Sequence, residues 1–412
     1  MARQMKDSGV EWIGEIPETW EVINPKALFR LRKEKAALGQ RQLTSSQQYG
    51  IVYQDEYMKL TGAKVVTVEK DFEILKQVES GDFVISMRSF QGGIEYSPYS
   101  GSISSAYVML IPNKNCVYSP FYKWLLKSSE YIRALQSTSN MVRDGQAMRY
   151  SNFAQVRLIV LPMEEQRRIA NYLDSKCAEI DKVVEQTRAT IEEYKKLKQA
   201  IITEAVTKGV RGPRPMKPSG VEWIGDIPEE WELQKAKYNI NVSHGSDPKS
   251  EGDVPVYGSG ASSFRTCGEY KEGPTVLIGR KGATLHIPHY ITGRYWNVDT
   301  AFDVKTDANK FSLRYYYYLA TAFDYKYYIS QTTLPGMTQS NYLQMKLPVP
   351  LIEEQEEIVF YLDTKCAEID LIIEKKEQLI EELGSYKKSL IYECVTGKRE
   401  IKMHNYSQIA IH

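Results

Sequence analysis

Residues 8–21 read SGVEWIGEIPETWE and residues 219–232 read SGVEWIGDIPEEWE; 12 of 14 positions agree across a shift of 211 residues. A second set of markers repeats further on. Glu165-Gln166, Tyr172-Leu173-Asp174 and Cys177-Ala178-Glu179-Ile180-Asp181 return as Glu354-Gln355, Tyr361-Leu362-Asp363 and Cys366-Ala367-Glu368-Ile369-Asp370, a shift of 189 residues. The stretches between the markers, 22–163 and 233–352, barely resemble one another, and the second is 22 residues shorter. A duplicated frame therefore carries two divergent inserts. Gene duplication alone would let differences fall anywhere, and two units are too few for a solenoid. Confinement of the differences to the inserts points instead to two different readers on one constant frame.

At 412 residues the chain has room for two to four domains and at least two cores. No apolar run of membrane-spanning length and no apolar signal region occurs, so a cytoplasmic protein is expected. Five cysteines with no CxxC pair argue against a disulfide framework or a zinc ribbon and for buried thiols. The net charge of +1 conceals a partition. Residues 21–163 carry 18 basic against 12 acidic side chains and residues 232–352 carry 13 against 10, whereas 164–208 balance and 353–400 carry 7 against 13. Positive charge sits in the inserts, where phosphate contact would need it, although an excess of this size is also common on ordinary domains.

Residues 164–208 have the spacing of a long helix. Leu173, Ile180, Thr187, Tyr194 and Ile201 form one heptad seam and Cys177, Val184, Ile191 and Ala205 a second. Acidic residues stand in the first turn, just after Pro162. Residues 353–400 repeat the pattern through Leu362, Ile369, Leu383 and Leu390, beside Cys366, Ile373 and Ile380; Lys198 and Lys387 interrupt the seams at equivalent places. Two seams of equal length most simply pack together as an antiparallel pair, the alternative being that each packs on its own insert. Gly and Pro mark 209–215 as a linker. Trp12, Pro17 and Trp20, answered by Trp223, Pro228 and Trp231, read as an extended, aromatic-anchored lead-in to each insert, packing being favoured over a surface site. Strands are expected at 83–86, 106–111, 156–160 and 275–278, and helices over 121–135 and 313–328. The tyrosine run 315–318 in the last suits core packing, with stacking on bases as the alternative.

Catalytic motifs are missing. Thr396-Gly397-Lys398 lacks the upstream glycine of a phosphate loop, because Tyr392 stands there, and Gly258-Ser259-Gly260 is not continued as a dinucleotide fingerprint. His286 and His289 lack the spacing and the glutamate of a zinc protease, so a turn is the better reading. A binding function is favoured. Two weak parallels between the inserts show where a ligand would be met. GDFVISMR at 81–88 aligns with GPTVLIGR at 273–280, placing Arg88 and Arg280 just past a strand, and MRYSNF at 148–153 aligns with MTQSNY at 337–342. Arg88, Ser89, Gln91, Arg143, Gln146, Arg149, Ser151 and Asn152 in the first insert, with Arg265, Arg280, Lys281, Thr338, Gln339, Ser340 and Asn341 in the second, are the candidate DNA-contacting residues. Arg, Gln and Asn make bidentate contacts to base edges, while Ser, Thr and Lys suit phosphates. The two Ser-Asn pairs suit helix caps equally well.

These doubled motifs, with the doubled Glu-Glu-Gln helix start and the helix ends EAVT at 204–207 and ECVT at 393–396, make the chain resemble the specificity subunit of a type I restriction-modification enzyme over nearly its whole length. The resemblance implies an α+β architecture with a pseudo-two-fold internal repeat, in which two α/β target-recognition domains in inverted orientation are separated by two long antiparallel coiled-coil helices. The implied division is a repeat element at 1–20, recognition domain 1 at 21–163, a spacer helix at 164–208, linker and second repeat element at 209–231, recognition domain 2 at 232–352, a spacer helix at 353–400, and a tail at 401–412 for which disorder is one expectation. Each recognition domain would read one half of an asymmetric bipartite site on double-stranded DNA. The resemblance also implies two methyltransferase subunits, which bring S-adenosylmethionine, and motor-nuclease subunits, which use ATP. This chain itself would hold no cofactor and no metal, and would be non-catalytic. Rival readings are a coiled-coil scaffold, which leaves the insert divergence unexplained, and a self-contained DNA methyltransferase, whose Asn/Asp-Pro-Pro-aromatic motif is absent.

Overall fold

The computed structural model describes residues 3–402 apart from 47, 69–71, 87–93, 139–148, 261 and 329–335. The chain forms two compact units, one of residues 1–185 with 379–412 and the other of residues 186–378. Both are α+β.

In the first unit the lead-in folds into a short antiparallel pair, Met5–Asp7 with Glu15–Pro17. The turn between them closes by the Ser8 amide donating to the Gly14 carbonyl, with Gly9 and Gly14 at φ of 66° and 69°, where a side chain would be strained. Glu21–Ile23 then pairs antiparallel with Leu158–Val160, the two ends of the insert. Within the insert a four-stranded antiparallel sheet runs in the order Phe29–Leu31, Tyr107–Pro112, Phe83–Ser86, Glu95–Tyr96. Its strands are two-faced, as a period of two requires. Phe83, Ile85 and Leu110 enter the main core with the helices Ser119–Leu125 and Ser129–Ser137. Val84 and Met109 enter a smaller core with Leu43, Ile51, Val78 and Ile103, beneath the hairpin Leu43–Ser46/Gly50–Tyr53.

The second unit repeats this plan from a dissimilar sequence. Met216–Pro218 pairs with Asp226–Pro228, and Glu232–Lys235 with Lys346–Val349. The insert sheet runs Ile240–His244, Ala301–Thr306, Thr275–Gly279, His289–Ile291, the order found in the first unit. A second sheet, Arg265–Cys267, Val254–Tyr257, Arg294–Asn297 and Lys271–Glu272, has its own small core of Val254, Val256, Cys267 and Val298. Its counterpart in the first unit is the hairpin region, so the inserts differ chiefly in this accessory layer.

Two helical expectations need correction. Residues 121–135 are not one helix: the chain turns at 126–128, where Ser128 Oγ donates to the Leu125 carbonyl (2.8 Å) and the partly exposed Lys127 donates to the buried Glu95 (2.8 Å). Likewise the helix from Leu313 ends at Ala322, and Asp324 starts a separate 3-10 turn, Tyr325–Tyr327, by accepting from the Lys326 amide (3.0 Å).

The long helices are Met163–Lys208 and Ile352–Val395. In the first unit Leu173, Cys177 and Ile180, from the start of one, share a core with Leu390, Cys394 and Val395, from the end of the other. In the second unit Ile202, Ala205 and Val206 share a core with Ile358, Leu362 and Cys366. Within each unit the pairing is antiparallel. The lysines that interrupt the seams are answered across it: Lys387 meets Asp181 and Lys198 meets Asp370, each at 2.6 Å, and the two aspartates are themselves repeat equivalents. Burial pushes the Cys177 thiol up to about 11 and the Cys394 thiol up to about 12, as expected of packed, unreactive thiols.

A duplicated polar lock joins each lead-in to the start of a long helix. The Trp20 indole, fully buried, donates to Glu165 Oε2 (2.9 Å), while Arg3 pairs with the other oxygen (2.7 Å) and lies over the Trp20 ring (5.1 Å). In the second unit Trp231 donates to Glu354 Oε2 (3.0 Å), Arg214 pairs with Oε1 (2.6 Å), and Arg214 lies 5.2 Å over the Trp231 ring. Arg3 and Arg214 are also 211 residues apart, so the repeat begins five residues earlier than residue 8. The next residue in each helix ties in the insert. Gln166 accepts from the Tyr118 amide and donates to the Cys116 and Leu161 carbonyls; Gln355 accepts from the Ser312 amide and donates to the Lys310 and Pro350 carbonyls. Glu354 is 3% exposed, so removing its carboxylate leaves the buried Trp231 N–H without an acceptor, while Arg214 keeps Glu230 (2.8 Å) and the Lys208 carbonyl (2.9 Å). Glu354→Ala should cost about 1–3 kcal/mol, read as a lower midpoint in equilibrium urea unfolding; an unchanged midpoint would refute the lock.

Candidate nucleic-acid interface

The strand Thr275–Gly279 is buried along its length and delivers Arg280 to the end of the insert sheet. Gly279 has no room for a side chain, since a Cβ there would lie 2.2 Å from Leu285, and this lets the following turn fold back over the strand. The Arg280 backbone is held on both sides, its amide donating to the Thr300 carbonyl (2.8 Å) and its carbonyl accepting from the Met337 amide (2.9 Å). Lys281 bridges to Gly336. Arg280, Lys281, Thr338 and Gln339 are thereby brought together although nearly 60 residues separate the two pairs in the chain. Arg265 stands apart, on the edge of the second sheet.

The charges here are loosely held. Arg280 donates to the Asp299 carbonyl (3.0 Å) and sits 3.7 Å from its carboxylate; Arg265 pairs with Asp247 at 2.8 Å, and both partners are largely exposed. Exposed pairs of this kind contribute roughly 0–1 kcal/mol, so a phosphate or a guanine edge can compete for either guanidinium at small cost. The short residues behave differently. Thr338 is the N-cap of the helix Gln339–Gln344 and accepts from the Asn341 amide; Asn341 Nδ2 donates to the Tyr328 carbonyl (2.9 Å); Gln339 Nε2 donates to the Val242 carbonyl (2.6 Å). Ser340 remains exposed.

In the first unit Arg149 precedes the helix Tyr150–Phe153, and its amide donates to Asn152 Oδ1 (3.1 Å). Asn152 Nδ2 donates to the Thr138 carbonyl (2.9 Å), the counterpart of the Asn341 bond to Tyr328. Ser151 is exposed. Arg88, Ser89, Gln91, Arg143 and Gln146 lie outside the described residues. The asparagine amides thus serve as pins between a cap and the preceding segment, the architectural use that their residue type allowed from the start.

The tyrosine run is core. Tyr315, Tyr316 and Tyr318 are buried, and the single Tyr315 O–H is shared between the Val206 and Pro348 carbonyls (3.2 and 3.1 Å). Arg314, which sequence reasoning passed over, lies within 5.4 Å of the Tyr290, Tyr317 and Tyr318 rings and makes a two-donor bond to Asp363. His289 lies in a strand, its pKa held down by burial, and His286 in an exposed turn. Among the described residues no group of His, Cys, Asp or Glu is arranged to hold a metal ion, and no helix is long and apolar enough to cross a membrane.

Two inserts on one plan, a duplicated frame and loosely paired cations at a sheet end define a two-domain binding protein. A family profile described as the type I restriction modification DNA specificity domain matches residues 17–193 and again 231–382. The type I restriction enzyme MjaVIII specificity subunit of Methanocaldococcus jannaschii is 24% identical over 434 residues, covering 95% of each chain. Among solved structures, a chain described under "Structural basis underlying complex assembly and conformational transition of the type I R-M system" is similar with a TM-score of 0.73 at 15% identity, covering 93% of this chain and 99% of that one. The HsdS subunit from Thermoanaerobacter tengcongensis is similar with a TM-score of 0.54 at 15% identity, covering 93% and 98%. This chain belongs to the type I restriction-modification DNA specificity family, the non-catalytic specificity subunits of type I restriction-modification complexes.

The pin has a measurable consequence. Asn341→Ala removes the partly buried amide bond to the Tyr328 carbonyl and the Oδ1 that accepts from the Thr338 hydroxyl, and should destabilise the protein by about 1–2 kcal/mol. Equilibrium denaturation measures it; full stability in the variant would show that the amide is not used.

Proposed function

We propose that each unit reads one half of an asymmetric bipartite site on double-stranded DNA, through residues of the candidate interface on its insert. The long helices set the spacer between the half-sites. The frame docks two methyltransferase subunits, which supply S-adenosylmethionine, and through the complex meets motor-nuclease subunits that use ATP, all in the cytoplasm. The observation that carries this reading is the pair of sheets with one strand order, held by equivalent Trp–Glu–Arg locks, whose surface residues differ. A constant frame with changed surfaces is what two independent sequence readers require. Within it, Arg280 and Arg265 hold only exposed partners and Lys281 is tied in through its backbone, while Asn152 and Asn341 act by holding the interface in shape.

The proposal separates the two specificities physically. Replacing residues 21–163 with the corresponding insert of a relative should change one half of the methylated sequence and leave the other intact, as read by methylome sequencing. A change in both halves at once would sink modular reading.

The helices give a second test. Inserting four residues midway along each adds roughly 6 Å and about 1.1 turns, and a heptad seam absorbs such a stutter by local unwinding. A base pair advances about 3.4 Å and turns roughly 35°. The leftover rotation of about 40° therefore matches one base pair, and orientation in the groove tolerates less error than length because misdirected hydrogen bonds fail. The insertion variant should methylate the same half-sites with a spacer one base pair longer. An active variant with its original spacer would show that the helices do not set the distance.

A further inference from the structure

The duplicated helices agree on their buried faces and disagree on one exposed face. On the second long helix Phe360 is 77% exposed and Leu371 51% exposed. They are eleven residues apart, about three turns, and so lie on one side. Glu353, Glu356 and Glu374 lie within about 60° of the same line, all exposed, and none is in a salt bridge among the described residues; the exposed Lys375 is the one basic residue in the same window. The result is an acidic strip with two apolar anchors.

The repeat shift of 189 residues gives the matching strip on the first long helix: Glu164, Arg167, Asn171, Lys182 and Glu185, every one exposed. Phenylalanine is replaced by asparagine, leucine by lysine and one glutamate by arginine. With Lys375 and its equivalent Gln186 included, the strip changes from three carboxylates and one ammonium around two large apolar groups to a neutral polar surface. A single exposed apolar residue is ordinary. Two on one helical line, polar in a copy whose buried face keeps Ile169, Leu173, Cys177, Ile180 and Val206 as Ile358, Leu362, Cys366, Ile369 and Val395, are not accounted for by folding.

We infer that the two docking positions are unequal: the strip around Phe360 and Leu371 seats a methyltransferase subunit through a surface apolar at its centre and basic at its rim, more tightly than the first copy seats its own. This rests on the docking reading above and goes beyond it. The occupant follows from the chemistry, since three unpaired carboxylates flanking apolar anchors complement a basic, apolar-centred surface and repel a second acidic strip, which disfavours pairing with another copy of this chain. Because the rim is charged and solvent-exposed, the tight position weakens as salt rises.

The test is native mass spectrometry of the full chain produced together with its methyltransferase subunit, across a dilution series at two salt concentrations. The expected result is stepwise loss, one methyltransferase leaving at about tenfold higher concentration than the other, a ratio typical of one good apolar anchor. The double variant Phe360→Asn/Leu371→Lys, which gives the second helix the residues of the first, should weaken the tight position about tenfold and make the two losses coincide. The converse variant Asn171→Phe/Lys182→Leu should strengthen the weak one. Both change exposed positions only, so native mass and circular dichroism should match the parent. Two equal losses in the parent, or a double variant that dissociates as the parent does, overturns this inference and leaves two-subunit docking standing. A single bound methyltransferase that is lost in the double variant supports the inference while overturning the two-position reading. No bound methyltransferase, or a dimer of this chain that the double variant breaks, overturns the inference.

Discussion

A carboxylate shared between an indole N–H and a guanidinium, partly buried at Glu165 and buried at Glu354, is the contact on which the rest of each unit hangs. Each carboxylate sits in the first turn of a long helix, where unsatisfied backbone N–H groups favour negative charge. Its partners come from the lead-in, so the helix start and the start of the insert hold a defined mutual placement. The adjacent Gln166 and Gln355 extend the hold to the loop before the insert's helices. Desolvated charge is costly unless every lone pair is matched, and that demand explains why tryptophan, glutamate, glutamine and arginine recur together while the surfaces around them do not.

From that anchor the inserts can diverge without losing their plan. Their sheets share a strand order because the same lead-in and return strands, Glu21–Ile23 with Leu158–Val160 and Glu232–Lys235 with Lys346–Val349, clamp both ends. What differs is the accessory layer and the side chains at the sheet ends. Sheet-end cations in exposed pairs cost little to exchange for a nucleic-acid partner, whereas the buried locks cannot be exchanged for anything. Stability and recognition therefore sit on separate residues, with Asn152 and Asn341 joining the two as pins behind the candidate surface.

The helix seams follow the same logic of buried match and free exposure. Apolar residues supply the hydrophobic gain, and Lys198 and Lys387, which look like flaws in a linear reading, meet Asp370 and Asp181 across the seam. Reversing one helix would separate those pairs, so the charges favour the antiparallel arrangement. The exposed faces escape this constraint, and there the two copies differ, as at Phe360 and Leu371.

The repeat, the long helices, the α+β class and the lack of catalytic motifs were all legible from the order of residues, because each is a local or periodic property: matched strings, heptad spacing, strand-like runs, absent motifs. The family resemblance rested on the same strings. Even the Arg3 and Arg214 partners were visible in principle as a longer repeat, RxMKxSGVEWIG. Other features needed the folded chain. The break at 126–128 depends on Lys127 finding Glu95. The joining of Arg280 and Lys281 to Thr338 and Gln339 depends on long-range backbone bonds. Arg314 acquires its tyrosine surroundings and its aspartate only when a helix docks on another. Whether Ser-Asn pairs cap or contact cannot be read from residue type, since the same donors and acceptors serve both uses; only the position of the Thr338 cap and of the Thr138 and Tyr328 carbonyls assigned the asparagine amides. Sequence carries what neighbours along the chain dictate, and tertiary structure decides what groups far apart in the chain do once desolvation forces them to find partners.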